Sequence, residues 1–144
     1  MNIENVRFED LPFEWQVLIE KAKKARKNAY APYSKYQVGA AVLSTNNNYG
    51  IGCNIETATW SGTKHAEQVA ISNLIAEYGD REIKALAVYT KDGGFPCAEC
   101  RQFIWEFCNG NHKVIILAID LKSHIKITTI GELYPERFGP ENLK

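Results

Sequence analysis

The 144 residues carry 17 basic and 17 acidic side chains and no net charge, which fits one domain of ordinary size and removes the general electrostatic pull that draws basic proteins to nucleic acid. No apolar run reaches the ~20 residues of a membrane-spanning helix, and the opening MNIENVRFED lacks the apolar core of a signal peptide. The four cysteines (Cys53, Cys97, Cys100 and Cys108) are expected as thiols in a reducing compartment, so the protein is expected in the cytoplasm.

Pro12 suits a first helical turn, and Trp15, Leu18, Ile19, Ala22 and Ala25 then recur at helical spacing to about Ala29. That pattern leaves the lysines of 21-KAKKARK-27 on a solvated face rather than in a binding patch. The tripeptide 31-APY-33 breaks the helix. Two strand-like runs, 36-YQVGAAVL-43 and 49-YGIGCNIE-56, flank the Asn-rich 44-STNNN-48 and read as a hairpin. Gly39 and Gly52 either weaken its strands or bring backbone close to something. A second helix is predicted from about Lys64 to Tyr78, with Gly79 as its stop. A strand over 84-KALAVYTK-91, a Gly-Gly-Phe-Pro loop and a third helix through 98-AECRQFIWEFC-108 follow. Two further strands, 113-KVIILAI-119 and 124-HIKITTI-130, and a short helix or turn at 131-GELYP-135 lead into the tail 138-FGPENLK-144. This order favours an α/β protein with a mixed sheet covered by helices. With no repeat, low-complexity tract or linker, residues 1–144 are expected to form one domain.

Two short motifs carry chemistry: His65 and Glu67 at the start of the second predicted helix, and Cys97 and Cys100 at the start of the third. Cysteines three apart in a first helical turn can aim both sulfurs at one point, and a helix N-terminus favours the thiolate that binds metal. With His65 they make three ligands and leave a fourth position open, the arrangement of catalytic zinc. Glu67 is then placed to move a proton to or from water. Three other readings stand beside it. Cys97, Cys100, Cys108 and His112 could close a structural zinc site, although helical spacing sets Cys108 about two turns beyond Cys100. A redox Cys-x-x-Cys is disfavoured by Glu99 between the cysteines. The third is a reduced, metal-free pair.

His-x-Glu followed by Pro-Cys-x-x-Cys is the signature of zinc nucleobase deaminases. The segments 31-APYSKYQVGAA-41, 52-GCNIE-56, 65-HAEQVAIS-72, 96-PCAECRQF-103 and 137-RFGPENL-143 go further, and the chain resembles the small cytidine deaminases from about Ala31 to Leu143. The resemblance implies a three-layer α/β/α fold around a mixed five-stranded sheet. It implies one Zn2+ per chain on His65, Cys97 and Cys100. Glu67 would shuttle protons as water adds to C4 of cytidine or 2′-deoxycytidine and ammonia departs, a reaction of pyrimidine salvage. The backbone of Ala66 and the carbonyl of Phe95 would lie beside the base, with Asn54 and Glu56 gripping the ribose hydroxyls. A Glu that accepts a sugar hydroxyl selects against free base, which would leave it unpaired. Phe138 matches an aromatic that reaches into a neighbouring subunit's pocket, so a homotetramer is implied.

The chain also departs from the short tetrameric members. They have three cysteine ligands and an arginine after the catalytic glutamate, whereas this chain has His65 and Gln68. One imidazole and two thiolates neutralise Zn2+, so no arginine is needed. This ligand set resembles the longer, dimeric branch, so a homodimer is the alternative assembly. Tyr36 replaces a phenylalanine near the ribose, Glu99 stands between the cysteines, and Trp60 is read as interface or core. Rival functions are deamination of a modified cytosine nucleoside, editing of nucleic acid, and a non-catalytic zinc module.

Overall fold

Strands buried on both faces are the organising feature of the chain. The computed structural model describes residues 2–144. Its elements are β1 (Glu4–Val6), α1 (Phe13–Arg26), β2 (Gly39–Ser44), β3 (Tyr49–Cys53), α2 (Ala66–Tyr78), β4 (Ile83–Tyr89), α3 (Ala98–Glu106), β5 (Ile115–Ile119), β6 (Ile125–Thr129) and α4 (Ile130–Leu133). Successive strand residues point to opposite faces, and here both faces find apolar partners. Ala41, Leu43, Ala85, Ala87 and Leu117 meet Leu18, Ile19 and Ala22 of α1. Ala40, Val42, Leu86, Val88 and Ile116 meet Ala66, Ala70, Ile71 and Leu74 of α2 and Ile104 of α3. The result is the expected three layers.

The sheet has six strands in the order β1-β6-β5-β4-β2-β3, not the five expected. The additional strand, β1, pairs antiparallel with β6 through Glu4↔Ile127, Asn5↔Lys126 and Val6↔Ile125. Three residues, two of them polar, have no period of their own. Their strand character comes from a partner at the far end of the chain. β4 and β5 run parallel, joined through α3, while the other pairings are antiparallel.

Helix ends shift slightly. Pro12 keeps extended backbone and caps α1 from outside, its carbonyl accepting from Trp15 N and Gln16 N. The helix stops at Arg26 rather than near Ala29, and α3 stops at Glu106. Gly79 does end α2, in the left-handed conformation (φ 73°), with its N–H donating to Ile75 O at 2.8 Å. Among the described residues, no helix is long and apolar enough to cross a membrane.

Of the two readings for the strand glycines, close approach is right. A Cβ on Gly39 would stand 2.2 Å from Ala22 O of α1, and one on Gly52 2.4 Å from Ala70 N of α2. Gly52→Ala is therefore expected to lower stability by about 1–3 kcal/mol, the usual cost of overpacking. The measurement is a lower urea midpoint at unchanged slope; an unchanged midpoint would mean that α2 can lift from the sheet without loss.

Candidate active site

Backbone pairing beyond the sheet brings the motifs together. The strand line of β3 continues through Asn54–Glu56, which is held on both sides. Tyr30 N donates to Asn54 O and Glu56 N to Tyr30 O, both at 2.9 Å; Ile55 and Lys64 exchange N–H···O bonds of 2.9 and 2.8 Å. His65 follows Lys64 directly and precedes α2. On the other side, β4 ends at Tyr89, and Thr90 Oγ1 gathers the turn by accepting from Gly93 N (2.8 Å) and Gly94 N (3.0 Å). Cys97 then precedes α3, anchored by Arg101 Nε donating to Pro96 O at 2.7 Å.

The two helix starts face each other. His65 Nδ1 lies 3.2 Å from Cys100 Sγ and 3.3 Å from Cys97 Sγ, and ligand atoms of the three residues lie within 4.8 Å of one another. Cys100 is fully buried, and its thiol is pushed far up by burial, then by Glu67 and Cys97. A buried sulfur that resists ionisation in its own surroundings becomes a thiolate beside a divalent cation. One imidazole and two thiols so arranged therefore fit zinc with a position left open. The rival closed site does not form. Cys108 is buried with its Sγ donating to Ile104 O at 3.2 Å, burial pushes its thiol up to about 12, and His112 is exposed.

Glu99 and Gln68 complete the surroundings of His65. Gln68 Nε2 donates to Glu99 Oε2 at 2.9 Å, Gln68 Oε1 accepts from His65 N at 3.3 Å, and Glu99 Oε2 stands 3.7 Å from His65 Nε2. In the sequence Gln68 shows only as the absence of an arginine. Its bridging position depends on two helices meeting and has no local signal.

Beside the triad opens a pocket of about 390 Å³, the size of small-ligand sites. It is lined by Tyr36, Asn54, Glu56, His65, Ala66, Glu67, Phe95 and Cys97 of the predicted residues, and by Ser34, Thr63 and Thr90, which sequence reasoning missed. Glu67 is only 5% exposed, and burial raises its carboxyl above the ordinary range. Asn54 Oδ1 accepts from Val38 N at 2.9 Å while its Nδ2 donates to Tyr36 O at 2.7 Å. Glu56 accepts from Tyr33 N (3.0 Å), Ser34 N (3.1 Å) and Ser34 Oγ. The Ser34 bonds, chiefly its hydroxyl's, hold the Glu56 carboxyl below the usual range.

Phe138 is not brought to this pocket. Its side chain is half exposed, and its carbonyl accepts from Gln102 Nε2 of α3 at 2.8 Å. Trp60 is 80% exposed beside the Tyr33 ring, 6.1 Å away, so it is not a core residue of this chain.

Residues 14–118 match the family model described as the cytidine and deoxycytidylate deaminase zinc-binding region. The chain belongs to this family. A cytidine deaminase of Sporosarcina psychrophila is 44% identical over 88% of this chain and 92% of its own. One of Halalkalibacterium halodurans is 39% identical over 89% and 96% respectively. The crystal structure of cytidine deaminase from Burkholderia pseudomallei superposes with a TM-score of 0.78 at 34% identity, covering 85% of this chain and 97% of that one. The deaminase family is zinc-binding, and the His65, Cys97 and Cys100 group can hold one ion.

Carboxylates behind metal-ligating histidines typically raise affinity by about 10–100-fold. Glu99 is largely exposed and water screens it, so Glu99→Gln is expected to weaken zinc binding by about tenfold, the lower end of that range. Competition against a chromophoric chelator measures this; an unchanged affinity would leave Glu99 a partner of Gln68 alone.

Proposed function

We propose that this chain is a zinc-dependent nucleoside deaminase that converts cytidine and 2′-deoxycytidine, with water, to uridine and 2′-deoxyuridine and ammonia. The observation that carries the reading is the pocket itself. A three-donor metal group, a buried carboxyl and the polar residues Asn54 and Glu56 meet at one pocket. In this reading His65, Cys97 and Cys100 hold the ion. Zinc, when bound, supplies the Lewis acidity that makes water a nucleophile near neutral pH.

The protein's own residues do the rest. Glu67 takes a proton from the attacking water and delivers it to N3 of the cytosine as C4 becomes tetrahedral. It then moves the proton of the new C4 hydroxyl to the amine, which departs as ammonia as the C4–N bond breaks and the C4 carbonyl forms. Burial suits it to this work, because a carboxyl raised above its ordinary range holds and releases a proton more evenly near neutral pH. Ala66 and Phe95 line the pocket, and in this reading the Ala66 backbone meets the base while the Phe95 carbonyl receives the leaving amine. Asn54 and Glu56 receive the sugar. Their bonds to the 33–38 segment support this role, because an acceptor already locked in place loses little freedom when a substrate hydroxyl arrives.

The reading extends to the whole of residues 1–144 as one catalytic domain working in pyrimidine salvage. The four free thiols favour the cytoplasm. The exposed Phe138, Trp60 and Tyr33 favour an assembly, a homotetramer or else a homodimer, in which Phe138 closes a neighbour's pocket.

Ammonia release from cytidine, 2′-deoxycytidine and free cytosine, with metal content per chain, tests the activity. Turnover of both nucleosides but not of the base, with one zinc per chain, is expected. Glu67→Gln should lower kcat by at least about a hundredfold with zinc retained; near-normal turnover would remove the proton-shuttle role. If Phe138 serves a neighbour, Phe138→Ala should raise KM in an assembly whose mass, by sedimentation, exceeds that of one chain. A monomer with unaltered kinetics would refute that arrangement.

A further inference from the structure

Two residues of the pocket wall, Tyr36 and Thr90, converge on a carboxylate behind it. Tyr36 Oη donates to Asp92 Oδ1 at 2.6 Å. The same oxygen accepts from Thr90 Oγ1 and from Gly94 N, each at 3.3 Å. These bonds, that of Tyr36 foremost, hold Asp92 below the ordinary carboxylate range, so it is an anion at neutral pH. A phenol has one proton and two lone pairs. With the proton committed to Asp92, Tyr36 offers the pocket only an acceptor. The anion behind it makes that acceptor stronger, since hydrogen bonds in a chain polarise one another.

The position of Tyr36 indicates which part of a ligand meets it. Its carbonyl accepts from Asn54 Nδ2, and its own N–H donates to Ser34 Oγ at 3.0 Å. Ser34 is in turn fastened to Glu56. The backbone of Tyr36 therefore belongs to the wall formed by Asn54 and Glu56, and its ring carries the hydroxyl from there to the Thr90–Gly94 turn. A nucleoside presents several hydroxyl donors there. Glu56 already accepts three hydrogen bonds from Tyr33 and Ser34, and most of its capacity is spent. Asn54 Oδ1, which already accepts from Val38 N, can take one hydroxyl more, so a third acceptor is required if three sugar hydroxyls are to be satisfied out of water.

We propose that Tyr36, oriented by Asp92, accepts a hydrogen bond from one sugar hydroxyl of the nucleoside and so makes the pocket selective for sugars that carry it. Tyr36 contacts the substrate, and Asp92 is a positioning residue acting through it. The inference rests on the nucleoside-deaminase reading given above.

The test is Tyr36→Phe, which keeps the ring and removes only the acceptor. The zinc-loaded parent and variant are compared on cytidine and on its 2′-, 3′- and 5′-deoxy forms. For cytidine, kcat/KM should fall by about tenfold. The loss should vanish for one of the three deoxynucleosides and persist for the other two. Asp92→Ala should reproduce this pattern with Tyr36 in place. A loss equal across all four substrates, as a purely structural role would give, or no loss for cytidine, overturns the role of Tyr36. An Asp92→Ala variant with parental selectivity overturns the role of Asp92. Calorimetry with uridine and its three deoxy forms repeats the comparison on binding alone. Absence of ammonia from cytidine then refutes the deaminase reading by itself, whereas uniform binding losses, or no binding of any of the four, refute this one.

Discussion

Helix α2 lies against β3 at two glycines, whose missing side chains let its backbone close in. A Cβ on Gly50 would stand 2.4 Å from Ala70 O, and one on Gly52 2.6 Å from Ala66 O. This contact sets where α2 begins, and much of the site follows from it. Residues leaving β3 can pair with residues entering α2, as Ile55 and Lys64 do, only because the helix rides so low. That pairing puts His65 and Glu67 beside Asn54 and Glu56 although the two groups lie on different elements. Packing thus supplies the proximity that a two-ended substrate pocket needs.

The second constraint is electrostatic. Glu67 and Cys100 are both buried, and burial drives both toward their neutral forms. Two potential anions so close in a dry place would be costly if both ionised. A divalent cation at the converging ligand atoms would remove the conflict for the sulfur and, in the reading proposed above, leave the carboxyl free to exchange a proton. Burial that is a liability in the bare protein is therefore what gives the site its chemistry.

The departures from the short members of the deaminase family form one connected set. His65 in place of a third thiolate removes a negative charge, and Gln68 takes the place of the arginine that would have offset it. The structure adds Glu99 to this set, because Gln68 joins the His65 backbone to the Glu99 carboxylate. Gln68 of α2 and Glu99 of α3 thus meet beside one imidazole. On the far wall, Asn54 and Glu56 do two things at once. They tie down the 33–38 segment and they line the pocket, so that wall is rigid before anything binds.

Local pattern alone was enough for the elements that repeat. Helical spacing from Trp15 to Ala25, apolar runs at β2, β4 and β5, and Gly79 as a stop all act within a few residues, so they were legible without the fold. The spacing of His65, Glu67, Cys97 and Cys100 was legible too, because a metal site draws on few residue types and short intervals. What the sequence alone left open were choices made by distant partners. β1 is a strand only because β6 pairs with it. Cys108 is excluded and His65 included because the starts of α2 and α3 meet, which no spacing within α3 could decide. Trp60 and Phe138, apolar enough for a core, lie on the surface. The bonds from Tyr36 to Asp92 and from Gln68 to Glu99 join segments far apart in the chain. A hydrogen bond across such a separation leaves no trace in local composition, and the tertiary structure alone determines it.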